Sequence, residues 1–175
     1  RAAKHAQQVV VATTTAPEDA AIERLCSELG VACYRGHPAD CLDRHYQVGL
    51  QSGASSIVKI PSDCLLIDPA VIDRVLDAYA SSDGRYDYVS NQHPATWPDG
   101  NDVEVLSMRA LSTAWQQASD PFDREHTTPF IWQRPERFAS LNVRWETGLD
   151  YSQSHRWVVD WDADYQVVRE LIETL

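Results

Sequence analysis

Features that mark several common protein classes are missing from this chain. It has 4 cysteines in 175 residues, with no CxxC pair and no histidine spacing typical of a zinc site. Scattered cysteines of this kind are typical of free thiols in a reducing compartment. No stretch reaches the ~20 apolar residues that a membrane-spanning helix requires, and no signal peptide opens the chain. We therefore expect a cytoplasmic protein that does not span a membrane.

Positive charge is also scarce. The chain has 15 Lys and Arg against 26 Asp and Glu, for a formal net charge of -11. Nucleic acids and anionic membranes bind to basic surfaces, so neither is an expected partner. A substrate with phosphate groups would need a local Arg or Lys, or a divalent metal. The GxSxG, Walker A, GxGxxG and HExxH motifs are absent, which disfavours serine hydrolases, P-loop proteins, dinucleotide-binding proteins and zincins.

The first half of the chain alternates between apolar strand signals and amphipathic helix signals. After a helix end at residues 1–8, the pattern predicts four strands, at 9–12, 31–34, 57–60 and 86–90, and three helices, at 17–30, 40–53 and from Pro69 to about Tyr79. Such alternation is typical of a mostly parallel sheet with right-handed crossovers. We predict a single α/β domain over residues 1–175.

The second half is less regular, and residues 91–155 are predicted to form a smaller inserted region. Its pattern and that of the remaining chain predict strands at 102–106, 138–144 and 156–160, and helices at 107–118, 123–133 and from Asp162 onward. In strand 102–106, alternation places Val103 and Val105 on one face and Asp102, Glu104 and Leu106 on the other. The inner face of the last helix is predicted to hold Tyr165, Val168, Leu171 and Ile172.

Two carboxylates follow predicted strands directly. Asp63 comes after strand 57–60 and Asp160 ends strand 156–160. In open α/β sheets, ligands bind beyond the carboxyl ends of the strands, so both side chains are expected in one cleft. Two carboxylates and several waters usually hold Mg²⁺ against substrate phosphates. The alternative is that Asp63 closes a turn and residues 160–164 begin a helix.

Two further positions leave two interpretations open. His126 follows Arg124 and Glu125. Such a histidine could activate a hydroxyl or bind a carboxylate; the alternative is that the three residues only form an ordinary helix start. Arg44 lies in the first turn of the second helix; it suits phosphate or base binding, or a solvated helix face.

Seven segments of the chain carry a family resemblance. In chain order they are VVVATTTAPEDAAI, CYRGHPADCLDRHYQ, IVKIPSDCLLIDPAVID, DYVSN, PDGNDVEVLS, DREHTTPFI and RWVVDWDADYQVV. The sequence resembles the cytidylyltransferases that include CMP-KDO synthetase and CMP-sialic acid synthetase, and in particular their spore coat polysaccharide biosynthesis branch.

The resemblance implies a GT-A-like (Rossmann-like) three-layer fold with a mixed, mostly parallel central sheet. It also implies transfer of CMP from CTP to an acidic or modified sugar with release of pyrophosphate, Mg²⁺ as cofactor, and a homodimer. Two alternatives stay open. One is a glycosyltransferase, or a nucleotidyltransferase for another base, with the same fold; the other is a non-catalytic binding or assembly module.

The resemblance also implies roles for individual residues. Asp63 and Asp160 correspond to the metal ligands, and with His126 they form the implied catalytic set. The nucleotide side is implied to hold Leu42, Arg44, Ser62 and Asp63, and the sugar side Asp102, Glu104, Glu125 and His126.

The chain departs from the family pattern at three positions and at its beginning. Ser62 and Leu65 stand where the family usually has Gly and Pro, and Trp161 stands where a small Thr is common. The family opens with a strand and a loop rich in Arg, Ser, Gly and Lys that grips the triphosphate, ~40 residues with the helix that follows. We therefore expect the domain to be N-terminally incomplete. The remaining cations expected in the cleft are Arg44, Lys59, Arg124 and Arg156.

Overall fold

The structure is a computed structural model that describes residues 3–174. The strands are β1 (Val10–Thr14), β2 (Ala32–Gly36), β3 (Ser56–Lys59), β4 (Tyr88–Ser90), β5 (Glu104–Ser107) and β6 (Ser140–Asn142). The helices are α1 (Ala20–Leu29), α2 (Cys41–Gln51), α3 (Pro69–Ala80), α4 (Met108–Gln117), α5 (Pro121–His126), α6 (Pro129–Trp132) and α7 (Asp162–Thr174), with a 3-10 turn at Pro17–Asp19 before α1. None of these helices combines the length and the apolarity needed to cross a membrane.

Both parallel and antiparallel strand pairs occur. β1 and β2 form a parallel pair, and the other strands form a sheet in the order β3-β5-β4-β6. In this sheet β3, β4 and β6 run in one direction and β5 runs against them. The predicted α/β fold with a mixed sheet is confirmed. β5 belongs to the region 91–155 that was predicted as an insertion, yet it lies between β3 and β4.

Apolar side chains cover both faces of this sheet. On one face Tyr88 and Leu106 pack with Leu42 of α2 and Leu111 of α4. On the other face the apolar side chains of the strands pack with those of α3: Val89, Val103 and Val105 with Val71, Ile72 and Val75. Helices on both sides of a sheet make a three-layer domain. The predicted alternation of residues 102–106 is confirmed, because Val103 and Val105 share one face and Glu104 and Leu106 the other.

Side-chain caps determine where two helices begin after strand ends. The Asp40 side chain accepts a hydrogen bond from the backbone N–H of Asp43 at the start of α2, at 2.8 Å. Asp68 accepts one from the N–H of Ala70, also at 2.8 Å, and Pro69 occupies the first position of α3. An Asp cap and a first-turn proline both stabilise a helix start.

The prediction of a helix end at residues 1–8 is wrong for the described residues 3–8, and residues 1 and 2 lie outside the described range. The backbone N–H groups of Lys4 and His5 donate to the carboxylate of Asp73 on α3, at 2.8 and 3.2 Å from Oδ1. A short polar segment does not repay the cost of helix nucleation. Here it gains acceptors from a neighbouring helix instead.

The single helix predicted at 123–133 is wrong as well. It is two helices, α5 and α6, separated at Thr127, whose φ is 72°. Pro129 has no N–H to continue the helical hydrogen bonds. The break turns the Thr127 and Thr128 side chains inward, where both are buried.

The strand predicted at 156–160 is also wrong. This segment forms an isolated bridge between Asp99 and Arg156, and the N–H of Val159 donates to the backbone oxygen of Asp63 at 3.1 Å. These two separate contacts do not make a ladder. The strand predicted at 138–144 is shorter, since only β6 pairs, with β4.

The inner face predicted for the last helix is mostly exposed. Of its four residues only Val168 is buried, while Tyr165, Leu171 and Ile172 are exposed. Helical periodicity identifies an apolar face, but it does not show whether another element covers that face.

Candidate active site

Three strands bring polar side chains to one end of the four-stranded sheet, the end at which β3 and β4 finish. We call this end the sheet edge. Lys59 is the last residue of β3 and Ser90 the last of β4, and both are paired in register with Glu104, the first residue of β5. Because β5 runs antiparallel to its neighbours, its beginning lies beside their carboxyl ends. This edge is where open α/β sheets bind ligands.

Lys59 and Glu104 form a buried ion pair at this edge. Lys59 Nζ lies 2.5 Å from Glu104 Oε1, and the Tyr88 hydroxyl donates to Oε2 at 2.6 Å. The Glu104 side chain is 1% exposed and the Lys59 side chain 16%. Both carboxylate oxygens are therefore bonded, which holds the ammonium group of Lys59 in place.

Each member of this pair shifts the pKa of the other in the direction that favours the ionised form. Burial raises the pKa of Glu104, but the charge and hydrogen bond of Lys59 outweigh it and hold that pKa below its ordinary value. Burial likewise lowers the pKa of Lys59, and Glu104 raises it overall. Both groups are ionised at neutral pH. Burial keeps the pKa of Tyr88 well above its ordinary value, so its hydroxyl stays protonated and donates.

Two predicted carboxylates, Asp63 and Asp102, lie on either side of Cys64. The Cys64 thiol donates to Asp63 Oδ1 at 3.5 Å. Burial, with the negative charges of Asp102 and Asp63, raises the pKa of Cys64 to about 12. Burial and the charge of Asp99 raise the pKa of Asp102 to about 6. Asp102 is thus a carboxylate that titrates close to neutral pH.

Asp160 is brought towards Asp63 by the backbone bond from Val159, but its carboxylate is already paired. It lies 2.5 Å from Arg156, which also contacts Asp164 at 2.6 Å and Asp99 at 3.8 Å. Asp63 makes no ion pair within residues 3–174.

A magnesium ion is the cofactor predicted for this edge. Within the described range no group of three or more His, Cys, Asp or Glu side chains is arranged to hold a metal. Mg²⁺ needs only one or two carboxylates when substrate phosphates and waters complete its shell. Asp63 and Asp160 lie on segments joined by the Val159–Asp63 backbone bond, and metal binding by their carboxylates stays a prediction.

The residues predicted for the nucleotide side differ in exposure. Leu42 is fully buried in the core, and Ser62 is exposed. Arg44 Nη1 donates to the backbone oxygens of His37 and Pro38, at 2.6 and 3.0 Å. Arg44 therefore braces the loop before α2. Nucleotide binding by these residues stays a prediction.

The residues predicted for the sugar side separate into two groups. Asp102 and Glu104 lie at the sheet edge, and the Glu104 carboxylate is fully occupied by Lys59 and Tyr88. Glu125 and His126 are exposed at the end of α5, where the His126 ring lies 4.4 Å from that of Phe122. Within residues 3–174 no hydrogen bond or ion pair joins either of these two side chains to Glu104, and their role in sugar binding stays a prediction.

Sequence reasoning missed three residues of this edge. Tyr88 has no motif, although it lies two residues before the end of its strand and thus on the same face as the site. His93 stacks on Trp132 with ring centroids 4.2 Å apart, and Tyr88 lies 6.2 Å from His93. No local pattern signals this stack, because its members come from separate elements.

The three-layer arrangement and the mixed sheet define a Rossmann-like α/β fold, with a polar edge where such folds bind ligands. The sequence profile of the family described as Cytidylyltransferase matches residues 1–174. The chain belongs to the cytidylyltransferase family.

Two curated relatives are similar over nearly the whole chain. An uncharacterized protein of Methanocaldococcus jannaschii, MJ1063, is 35% identical over 168 residues, which are 96% of this chain and 67% of the relative. The spore coat polysaccharide biosynthesis protein SpsF of Bacillus subtilis is 25% identical over 171 residues, 97% of this chain and 69% of that protein.

Two solved structures have the same fold. A cytidylyltransferase from Leptospira borgpetersenii serovar Hardjo-bovis has a TM-score of 0.89 at 27% identity, over 95% of this chain and 69% of the other. CMP:2-keto-3-deoxy-manno-octonic acid synthetase complexed with CTP has a TM-score of 0.64 at 12% identity, over 95% and 81%. At that identity the second likeness concerns the fold alone.

Proposed function

We propose that the protein transfers CMP from CTP to a hydroxyl of an acidic or modified sugar, for surface polysaccharide biosynthesis. The sugar oxygen attacks the α-phosphorus, one P–O bond forms, and the bond to pyrophosphate breaks. Membership of the cytidylyltransferase family supports the nucleotide part. The name of the Bacillus subtilis relative supports the polysaccharide part. We also propose a cytoplasmic location and a homodimer.

The observation that carries the proposal is the lysine whose ammonium group is held in a fixed position at the sheet edge. Lys59 is held by a buried carboxylate whose second oxygen accepts from Tyr88. A chain of net charge -11 repels a triphosphate, so a phosphate at the ligand-binding edge needs local cations or a metal, and Lys59 is a cation held at that edge. The Lys59 side chain is 16% exposed, so it is not sealed from solvent as the Glu104 side chain is.

Asp63 and Asp160 would hold Mg²⁺. When bound, the metal supplies positive charge against the phosphate oxygens and so favours attack at phosphorus. Arg156 has Asp99 and Asp164 as further partners. Asp160 can therefore exchange Arg156 for another cation without leaving the arginine unpaired.

On the sugar side we propose Asp102, Glu125 and His126 as contacts, with Glu104 acting through Lys59. Asp102 is ionised above pH about 6 and suits a sugar hydroxyl. Exposed side chains such as His126 and Glu125 can reach an acceptor that extends from the sheet edge over α5. His126 is our choice for orienting that acceptor.

Pyrophosphate release with CTP, UTP, GTP and ATP, each with a panel of acidic sugars, tests the function. We expect release with CTP and Mg²⁺, and its loss with EDTA. Asp63→Asn and Asp160→Asn should each lower the rate by about 100-fold, as expected for loss of charge stabilisation in a transition state. Glu28→Gln, an exposed carboxylate on α1, is the control and should leave the rate unchanged.

Three results would contradict parts of the proposal. Full activity of Asp63→Asn would remove that residue from the metal site. Equal rates with UTP would reject specificity for CTP. A protein that binds none of these nucleotides in the presence of Mg²⁺ would instead be a non-catalytic module.

A further inference from the structure

Cys41 and His45 form a pair that the proposed reaction does not use. Cys41 is the first residue of α2, directly after the capping residue Asp40. Its sulfur lies 3.4 Å from His45 Nδ1, and the same nitrogen lies 2.8 Å from the backbone oxygen of Cys41. A carbonyl oxygen only accepts, so Nδ1 carries the hydrogen. This hydrogen is shared: the carbonyl oxygen at 2.8 Å is its main acceptor, and the sulfur at 3.4 Å is a second, weaker acceptor, which favours a thiolate.

A second polar group, the Thr127 hydroxyl, acts on the same thiol. Thr127 is fully buried, and its hydroxyl oxygen has no hydrogen-bond partner within residues 3–174. A buried hydroxyl without a partner is costly, and an anionic sulfur nearby would accept from it. This hydroxyl is one of the groups that lower the pKa of Cys41. Thr127 is held there with a φ of 72°, at the break between α5 and α6.

The electrostatic surroundings of Cys41 agree with this geometry. Burial raises the pKa of its thiol, but the hydrogen bond and charge of His45, the Thr127 hydroxyl and the charge of Arg44 lower it to about 7. The position at a helix N-terminus acts in the same direction. The neighbouring carboxylate of Asp40 is neutralised by Arg124, at 2.5 Å.

The other cysteines lack such a setting. Burial and Cys26 raise the pKa of Cys33, which is only partly buried and serves as a matched comparison. Cys64 is buried with a pKa raised to about 12. All four cysteines are free thiols, so the difference between them arises from their neighbours.

Cys41 lies near the buried Lys59–Glu104 pair. A negative charge on Cys41 is among the causes that raise the pKa of Lys59. A change of charge at the Cys41 sulfur therefore acts on the cation that we propose to bind CTP.

We propose that Cys41 is a covalent modification site that takes low-molecular-weight disulfides. The Cys41 thiolate attacks one sulfur of the disulfide, a new S–S bond forms, and the other sulfur leaves as a thiolate. A second free thiol reverses the step by attacking the mixed disulfide. That the adduct blocks CTP binding rests on the proposed function.

Site-resolved mass spectrometry tests the site without any nucleotide. The protein is exposed to glutathione disulfide, and separately to iodoacetamide, from pH 5 to pH 10, and each cysteine peptide is quantified. We expect Cys41 to react first, with a midpoint near pH 7, and Cys33 with a midpoint above pH 9. A Cys41 midpoint equal to that of Cys33 would overturn the proposal.

Variants of His45 separate a reactive thiol from a merely exposed one. His45→Phe keeps a ring but removes the donor. At pH 7 a pKa of about 7 leaves about half of the Cys41 thiol ionised, whereas a pKa of about 9 leaves about 1% ionised, but the thiolate of higher pKa is about eightfold more nucleophilic. Alkylation of Cys41 in His45→Phe should therefore be roughly sixfold slower. His45→Asn puts an amide nitrogen near the place of Nδ1 and should keep the fast rate. An unchanged rate in His45→Phe would overturn the proposed role of this donor.

Two controls keep the test decisive. Circular dichroism verifies that each variant folds, and if His45→Phe does not, Thr127→Val serves as the second variant, with slower alkylation again expected. Loss of pyrophosphate release on modification, restored by dithiothreitol, tests the effect on catalysis. If the unmodified protein releases no pyrophosphate at all, the proposed function fails, whereas the mass measurement still decides whether Cys41 is the site.

Discussion

Two charge clusters at the same sheet edge are built from similar groups and differ in burial. The buried pair is Lys59 and Glu104, with Tyr88 as the second donor; the exposed cluster is Arg156 with Asp99, Asp160 and Asp164. The Glu104 side chain is 1% exposed, whereas the Arg156 side chain is 39% exposed and Asp160 50%. In the buried pair each carboxylate oxygen has its own donor. In the exposed cluster three carboxylates share one arginine.

Burial determines what each cluster can do. Water and salt screen the exposed charges, so their contacts are weak and exchange readily. The buried charges are screened little, and each would be costly without the other. Lys59 is therefore a fixed cation, whereas the Asp160 carboxylate can exchange its partner, as the proposed metal site requires.

Removing the cation of the buried pair should have the largest effect on stability. Lys59→Met leaves the Glu104 carboxylate buried without its counter-ion. We expect the free energy of unfolding in urea to fall by about 3–5 kcal/mol. The double variant Lys59→Met with Glu104→Gln should recover a large part of this loss. A loss no larger than that in Arg156→Gln would contradict the contrast between the two clusters.

Asp102, between the clusters, should make stability depend on pH. Its folded-state pKa of about 6 exceeds the ordinary 3.8, so the folded protein holds this proton more tightly. The resulting stabilisation is fully present below pH 3.8 and is lost as pH rises through 6, by about 3 kcal/mol in total. We expect Asp102→Asn to remove this part of the dependence in urea titrations between pH 4 and 7. If the free energy of unfolding changes with pH in the same way in the unchanged protein and in Asp102→Asn, the pKa of Asp102 is not raised.

The second donor of the buried pair should contribute less. Tyr88→Phe removes one hydroxyl that donates to Glu104 and leaves the ring packing intact. We expect the free energy of unfolding to fall by about 2 kcal/mol, the usual cost of a lost hydrogen bond to a buried charge. Tyr86→Phe, a partly buried tyrosine outside this network, is the matched control. Equal losses in the two variants would assign the effect to tyrosine in general.

The smallest effect is expected in the exposed cluster. Arg156→Gln should shift the unfolding midpoint slightly at low ionic strength and not measurably in 0.5 M salt, since the Debye length there is about 4 Å. Thermal unfolding at the two salt concentrations measures this. A large shift that persists in salt would mean that the cluster is structural, and that Asp160 is not available to a metal.

The sequence was informative where the contacts are local. Helix starts at Asp40 and Asp68 could be predicted because an Asp cap bonds to an N–H two or three residues on. The faces of residues 102–106 could be predicted because strand side chains alternate. The break at Thr127 could have been predicted too, since Pro129 interrupts the helical hydrogen bonds.

The candidate site was predictable only in part. Asp63 was named because it follows a strand, and Asp102 because of the family resemblance; both lie at the sheet edge. Glu104 was named as a sugar contact, but its two oxygens are occupied by Lys59 and Tyr88. The spacing of Cys41 and His45, one helical turn apart, was visible in the sequence. The donor direction was not, because it depends on which atoms Nδ1 faces.

The α/β order of elements and the apolar faces of the sheet strands follow from short repeating patterns in the sequence, and the family resemblance follows from seven short segments. Three features could be seen only in the folded chain: Glu104, 45 residues from Lys59, is its partner; Val159 contacts Asp63; and the last helix leaves most of its apolar face exposed. These outcomes depend on strand register and on the packing of distant elements. Local patterns do not encode such non-local pairings, because the same alternation is compatible with more than one register and neighbour.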